Sequence, residues 1–236
     1  MGQDYQLIKA DDLTEKVKVT ADCLDDWEKN LRLGDAHLNT TAKSKCARDR
    51  FTIGLRALHL MEYDLAKEMF SKANEVEKNE SGRIYPMALL GSALANIKLL
   101  WMKSDCKNAK KYLKSIRKPK KWISDKEKSF IETGFALFPN NMTCGKIGDQ
   151  SFKKQLKRFM KSMTQLTRKY PEETAVKMFS ILSKIAIGAT NIGIHAYLKK
   201  YPRNPCLLHY TMHLFDTPDY YKGAFKYYVI LLGGGG

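Results

Sequence analysis

Residues 50–79 read RFTIGLRALHLMEYDLAKEMFSKANEVEKN, and their apolar positions return every three or four residues on either side of a break near residues 60–62. That period belongs to α-helices that bury one face. The spacing predicts one helix over about 44–60 and another over about 63–79, joined by so short a turn that they form an antiparallel hairpin. Gly54 is followed by Ala66, Phe70 and Ala73 at successive spacings of 12, 4 and 3. Small residues there let two helices approach closely, and a Phe has the volume to fill the groove between them.

The same grammar extends along the chain. In MALLGSALANIKLLWMKSDCKNAKKYLKSI (87–116), Leu90 and Gly91 precede Ala109, Leu113 and Ile116, which keep the spacings of 4 and 3 and stretch the 12 to 18. Over 152–170, Phe152, Leu156, Phe159, Met160, Met163, Leu166 and Tyr170 form one helical face, and Lys153, Lys154, Lys157, Arg158 and Lys161 fall on the others. Further helices are predicted over about 11–32, 83–103, 105–117, 124–138, 150–169, 172–187, 190–201, 204–215 and 217–231. Connections of a few residues make them stacked hairpins and leave no role for a sheet, so the fold class is all-α. Residues 1–43 read as an N-terminal helix and linker packing on the repeats, 44–232 as the helical-repeat domain, and Gly233 to Gly236 as a flexible tail.

The 236 residues carry 41 Lys+Arg against 25 Asp+Glu, a net charge of +16. Residues 1–90 hold 14 basic and 16 acidic side chains, so residues 91–236 hold the remaining 27 and 9, a net of +18. Such a half favours an anionic partner. From Lys107 to Lys121 there are eight basic residues and no acidic one, and Lys107, Lys110, Lys111, Lys114 and Lys118 share one helical face, with Lys121 following. No RNP-type aromatic pair, zinc finger or Arg-rich recognition helix accompanies them, and lysine is a point charge of low specificity. An acidic protein or peptide is therefore the expected partner, with nucleic acid and anionic lipid as alternatives.

No basic-then-apolar leader is visible, and no apolar run reaches the ~18 residues of a membrane span. The five cysteines, Cys23, Cys46, Cys106, Cys144 and Cys206, show no CxxC spacing and read as reduced thiols, which makes the cytoplasm the expected location.

The segment LLHYTMHLFDTPDYYKGA (207–224) holds the chemistry. His209, His213 and Asp216 stand at i, i+4 and i+7 on one helix face. Two imidazoles one turn apart can share a metal ion, and a carboxylate can add to them, so a divalent transition metal is the cofactor expectation, with a carboxylate or Tyr210 as further ligand or acid. The structural reading is favoured over it: Thr217 or Asp216 caps the next helix, which Pro218 opens, and the histidines are packing or hydrogen-bonding groups.

The spacings of residues 50–79 are those of a degenerate tetratricopeptide (TPR) repeat. Over roughly 45–225, the chain resembles a widespread group of TPR-like helical proteins with a His-Tyr-x-x-His-x-x-acid segment. The resemblance rests on GLRALHLMEYDLAKEMFSKANEVE, MALLGSALANIKLLW, DKEKSFIETGFALF and HYTMHLFDTPDYYKGA. It implies a TPR-like α-solenoid of stacked antiparallel hairpins, with His209, His213 and Asp216 at the matching positions. The group has His-Pro-Gly where Asn204-Pro205-Cys206 stands here, and a later His-rich segment where this chain reads FKYYVILL.

Two functions follow. One is a binding module whose concave face takes a protein or peptide segment, biased toward acidic ligands. The other is a metal-dependent enzyme or metal-binding protein built on the His/His/Asp cluster. No Ser/His/Asp order, phosphate loop, dinucleotide fingerprint or nucleophilic Cys context is present, so hydrolase, kinase and dehydrogenase readings have no support, and whether the chain is an enzyme stays open.

Overall fold

A computed structural model describes residues 23–29, 31, 33, 36–100, 105–116, 120–137, 150–189, 192–202, 204–215 and 227. Among them the regular structure is all helical: α1 (Asp26–Lys29), α2 (Lys45–His59), α3 (Tyr63–Ser81), α4 (Pro86–Ile97), α5 (Cys106–Ile116), α6 (Asp125–Phe135), α7 (Gln150–Lys169), α8 (Thr174–Ala186), α9 (Ile194–Lys200) and α10 (Pro205–Phe215).

Local chemistry sets the boundaries. Ser44 caps α2 by accepting the Ala47 N–H at 3.1 Å, and Ser124 with Glu127 forms a reciprocal capping box on α6. Pro86 opens α4, which supplies no N–H there, and Lys98 ends it in the left-handed conformation at φ 49°. The helix expected over 83–103 is therefore shorter than its apolar run. Gly193, at φ 72°, delays α9 to Ile194. Of the helix expected over 11–32, the described residues show only the four of α1, and the one expected over 217–231 lies outside the described residues apart from Tyr227.

Sequential helices pack in pairs, α2 on α3, α4 on α5, α6 on α7, and α8 on α7 and α10, while α4 also touches α2 and α6. This makes α2, α4, α6 and α8 an inner row. All twelve residues of α4 are buried, which explains why its sequence has no polar face. Phe70 of α3 is the wedge between α2 and α4: a Cβ on Gly54 would lie 2.9 Å from its ring, and one on Gly91 only 2.5 Å. Gly134 of α6 meets Leu90 in the same way.

Residues 36–44, non-helical throughout, cross the ends of this row. Their side chains alternate, with Ala36, Leu38 and Ser44 buried and Asn39, Thr41 and Lys43 exposed. Alternate N–H groups are captured by buried side chains of other elements. The His37 N–H donates to Thr174 Oγ1 (2.9 Å), Asn39 to Glu173 (3.0 Å), Thr41 to Glu127 (3.1 Å) and Lys43 to Glu77 (3.0 Å). Thr40 Oγ1 meets the Tyr85 hydroxyl at 2.5 Å, and the Ala175 N–H donates back to the His37 carbonyl. Glu173 is neutralised by an ion pair with Lys126. The strap thus ties α3, α4, α6 and α8 together through groups that would otherwise be orphaned in the interior.

The reading of the cysteines as reduced thiols is corrected here. Cys23 and Cys46 form a disulfide with a Cα–Cα distance of 5.7 Å, and Cys106 is also disulfide-bonded. The physical reason is tertiary. The segment around α1 folds back onto α2, where buried Glu28 accepts from the Asp25 N–H, Arg50 and Lys72, and this brings together two cysteines 23 residues apart. Burial pushes the Glu28 carboxyl up, but these donors outweigh it and hold it below the usual range. The thiol argument for a cytoplasmic location falls with the pairing. Cys206 is buried, its Sγ donating to the Leu33 carbonyl at 3.7 Å. No helix among the described residues is long and apolar enough to cross a membrane.

Candidate functional site

The chemistry-bearing segment forms α10. Asn204 accepts the N–H groups of Cys206 (3.0 Å) and Leu207 (3.2 Å) on its Oδ1, and Pro205 fills the first helical position, so Asn-Pro-Cys acts as a helix start. One face of α10, carrying Cys206, Leu207, Tyr210 and Thr211, is buried against the inner row. His209 and His213 stand on the rim, His209 half-buried and His213 exposed.

Their rings stack at 4.8 Å between centroids and 26° between planes, with the two Nε2 atoms 2.9 Å apart. At that separation one ring donates Nε2–H to the lone pair of the other. Burial, then the neighbouring His213, pushes His209 down to about 4, so at neutral pH it is uncharged and keeps a lone pair. The structure therefore brings together two of the three residues that the spacing groups, while Asp216 lies outside the described residues. Among the described residues no set of three His, Cys, Asp or Glu could hold a metal ion.

Tyr210 is corrected as a candidate ligand. Its hydroxyl turns inward, 2.5 Å from Nδ1 of His59, and is held there by full burial. His59 ends α2, is fully buried against Phe179 of α8 at 4.4 Å between centroids, and is pushed down to about 3 by burial. It is a neutral strut between α2, α8 and α10. The spacing of His59 alone gives no sign of this role, because its partner lies 151 residues away.

The second candidate surface is basic. Lys107, Lys111 and Lys114 of α5 are exposed, as is Lys121, whereas Lys110 is half-buried and Lys118 lies outside the described residues. α7 adds exposed Lys153, Lys154, Lys157, Arg158 and Lys161, and neither helix contains an acidic residue. Among the described residues no carboxylate stands within ion-pair distance of these cations, although the charge of Lys107 helps hold the Asp105 carboxyl below its usual range. Comparison with protein-family models, curated proteins and solved structures finds no match.

Proposed function

We propose that the protein is a TPR-like helical-repeat binding module, a solenoid of stacked antiparallel hairpins, which holds an acidic segment of a protein partner against the outward faces of α5 and α7. The observation that carries this reading is the pair of acid-free helices whose apolar sides are spent on the core and whose outward lysines, apart from Lys107 beside Asp105 and Lys169 near Asp125, have no carboxylate beside them among the described residues. Removing such charges from their ionic atmosphere favours a partner that brings its own carboxylates.

Fluorescence anisotropy with a labelled Glu/Asp-rich peptide tests the assignment. Affinity falls as salt rises, and Lys111→Glu with Lys114→Glu, or Lys157→Glu with Arg158→Glu, weakens binding by about tenfold or more. Binding that ignores both salt and charge reversal refutes the reading. Parallel titrations with single-stranded RNA and with phosphatidylserine vesicles give weaker binding; tighter binding to either transfers the surface to that class.

A further inference from the structure

We propose that the His209–His213 pair on α10 is a two-nitrogen chelating site for a divalent transition ion, Cu2+ first and Ni2+ second. The argument begins with the helix. Residues four apart on α10 project in the same direction, and both residues lie within Pro205–Phe215, so the backbone holds the imidazoles together before any ligand arrives. The two Nε2 atoms lie 2.9 Å apart at the rim of the buried face of α10. His213 is exposed, so an ion reaches the pair without any element moving.

The ligand type selects the ion. Two neutral imidazole nitrogens suit divalent transition ions, and the intrinsic order of affinities places Cu2+ first, with Ni2+ and Zn2+ below it. The two imidazoles are the ligands proposed, and among the described residues no group of three His, Cys, Asp or Glu could hold the ion. Binding replaces the hydrogen bond between the rings. The donating ring moves its proton from Nε2 to Nδ1, both Nε2 lone pairs become ligands, and no proton is lost overall.

Isothermal titration of the full chain with Cu2+ in a non-chelating buffer, with electron paramagnetic resonance on the same sample, reads the site. One equivalent binds with a spectrum of two coordinated imidazole nitrogens, and Ni2+ and then Zn2+ bind more weakly. His213→Ala, at an exposed position, weakens Cu2+ by about tenfold or more and abolishes the two-nitrogen spectrum. His209→Ala does the same, and His195→Ala changes neither. Circular dichroism confirms that each variant is folded, and Cu2+ raises the melting temperature of the wild type but not of His213→Ala. The proposal is overturned by absence of a one-to-one event, by Cu2+ binding that survives His213→Ala, or by an equal loss in His195→Ala. Zn2+ binding more tightly than Cu2+ overturns the assignment of the ion.

Discussion

Gly91→Ala is the sharpest test of how the inner row is built. On an open helix this substitution stabilises by about 1 kcal/mol, because alanine gives up less backbone freedom. Here the added Cβ would lie 2.5, 2.6 and 2.7 Å from Cζ, Cε1 and Cε2 of Phe70. Ordinary carbon contacts begin near 3.5 Å, so the ring must retreat by about 1 Å. Its retreat is obstructed, since Phe70 is fully buried and already lies 2.9 Å from the Cβ position of Gly54. Overpacking of this kind costs about 3 kcal/mol at the upper end of its range, and the propensity gain offsets about 1, leaving a net loss of about 2 kcal/mol. For a chain of this size that is a fall of roughly 4–8 °C in melting temperature. Thermal and urea unfolding followed by circular dichroism measure it. Phe70→Leu, which removes the offending ring atoms, supplies the second arm: in the double variant Gly91→Ala adds little or nothing to the loss from Phe70→Leu, a coupling of at least about 1 kcal/mol. A more stable Gly91→Ala, or two losses that simply add, refutes the wedge.

Three other perturbations are as direct. Glu127→Ala strips the acceptor from the N–H groups of Thr41 and Ser124, and costs about 3 kcal/mol with faster hydrogen exchange at Thr41; unchanged exchange there contradicts the strap. Replacing Cys23 and Cys46 together by Ser opens a loop of 23 residues and lowers stability by about 3 kcal/mol in denaturant titrations, whereas an unaltered midpoint means the pair does not constrain the chain. His59 is neutral in the fold, with its pKa pushed down to about 3 by burial, while the unfolded chain takes up its proton near 6.5. Stability is therefore full above 6.5 and drains as pH falls toward 3, by about 2 kcal/mol between pH 7 and pH 5. An acid limb that is just as steep in His59→Gln would show that another group governs it.

Much of the architecture was legible because it is written in local periods. A face such as Phe152–Leu156–Phe159–Met163–Leu166 dictates a helix whatever lies beyond it, and α7 spans the expected 150–169. The Gly54–Phe70 relation was legible for the same reason, since volume at a fixed spacing implies contact. The His209–His213 pair is also local geometry, and the helix alone brings it together. What escaped depends on long-range placement. Residues 36–44 do alternate, Ala36, Leu38, Thr40 and Ala42 against His37, Asn39, Thr41 and Lys43, but that two-residue period has meaning only once Glu77, Glu127 and Glu173 stand opposite. The inward turn of Tyr210 needs His59, and the Cys23–Cys46 pairing needs the fold of the N-terminal segment, so neither can be read from spacing.

In an open helical array each repeat leans only on its neighbours, and the ends can fray or fold independently. The strap removes that freedom. Its bonds to Glu173 and Thr174 span 134 and 137 residues, and the bond between His59 and Tyr210 spans 151. As the chain leaves the ribosome, α2 and α3 can pair at once, but Asn39 finds its acceptor only after α8 has been made, and His59 its partner only after α10. The molecule must therefore complete its fold late and as a unit, with the slow closure expected of contacts so distant in sequence. Losing α8 or α10 would loosen residues 36–44 and the end of α2.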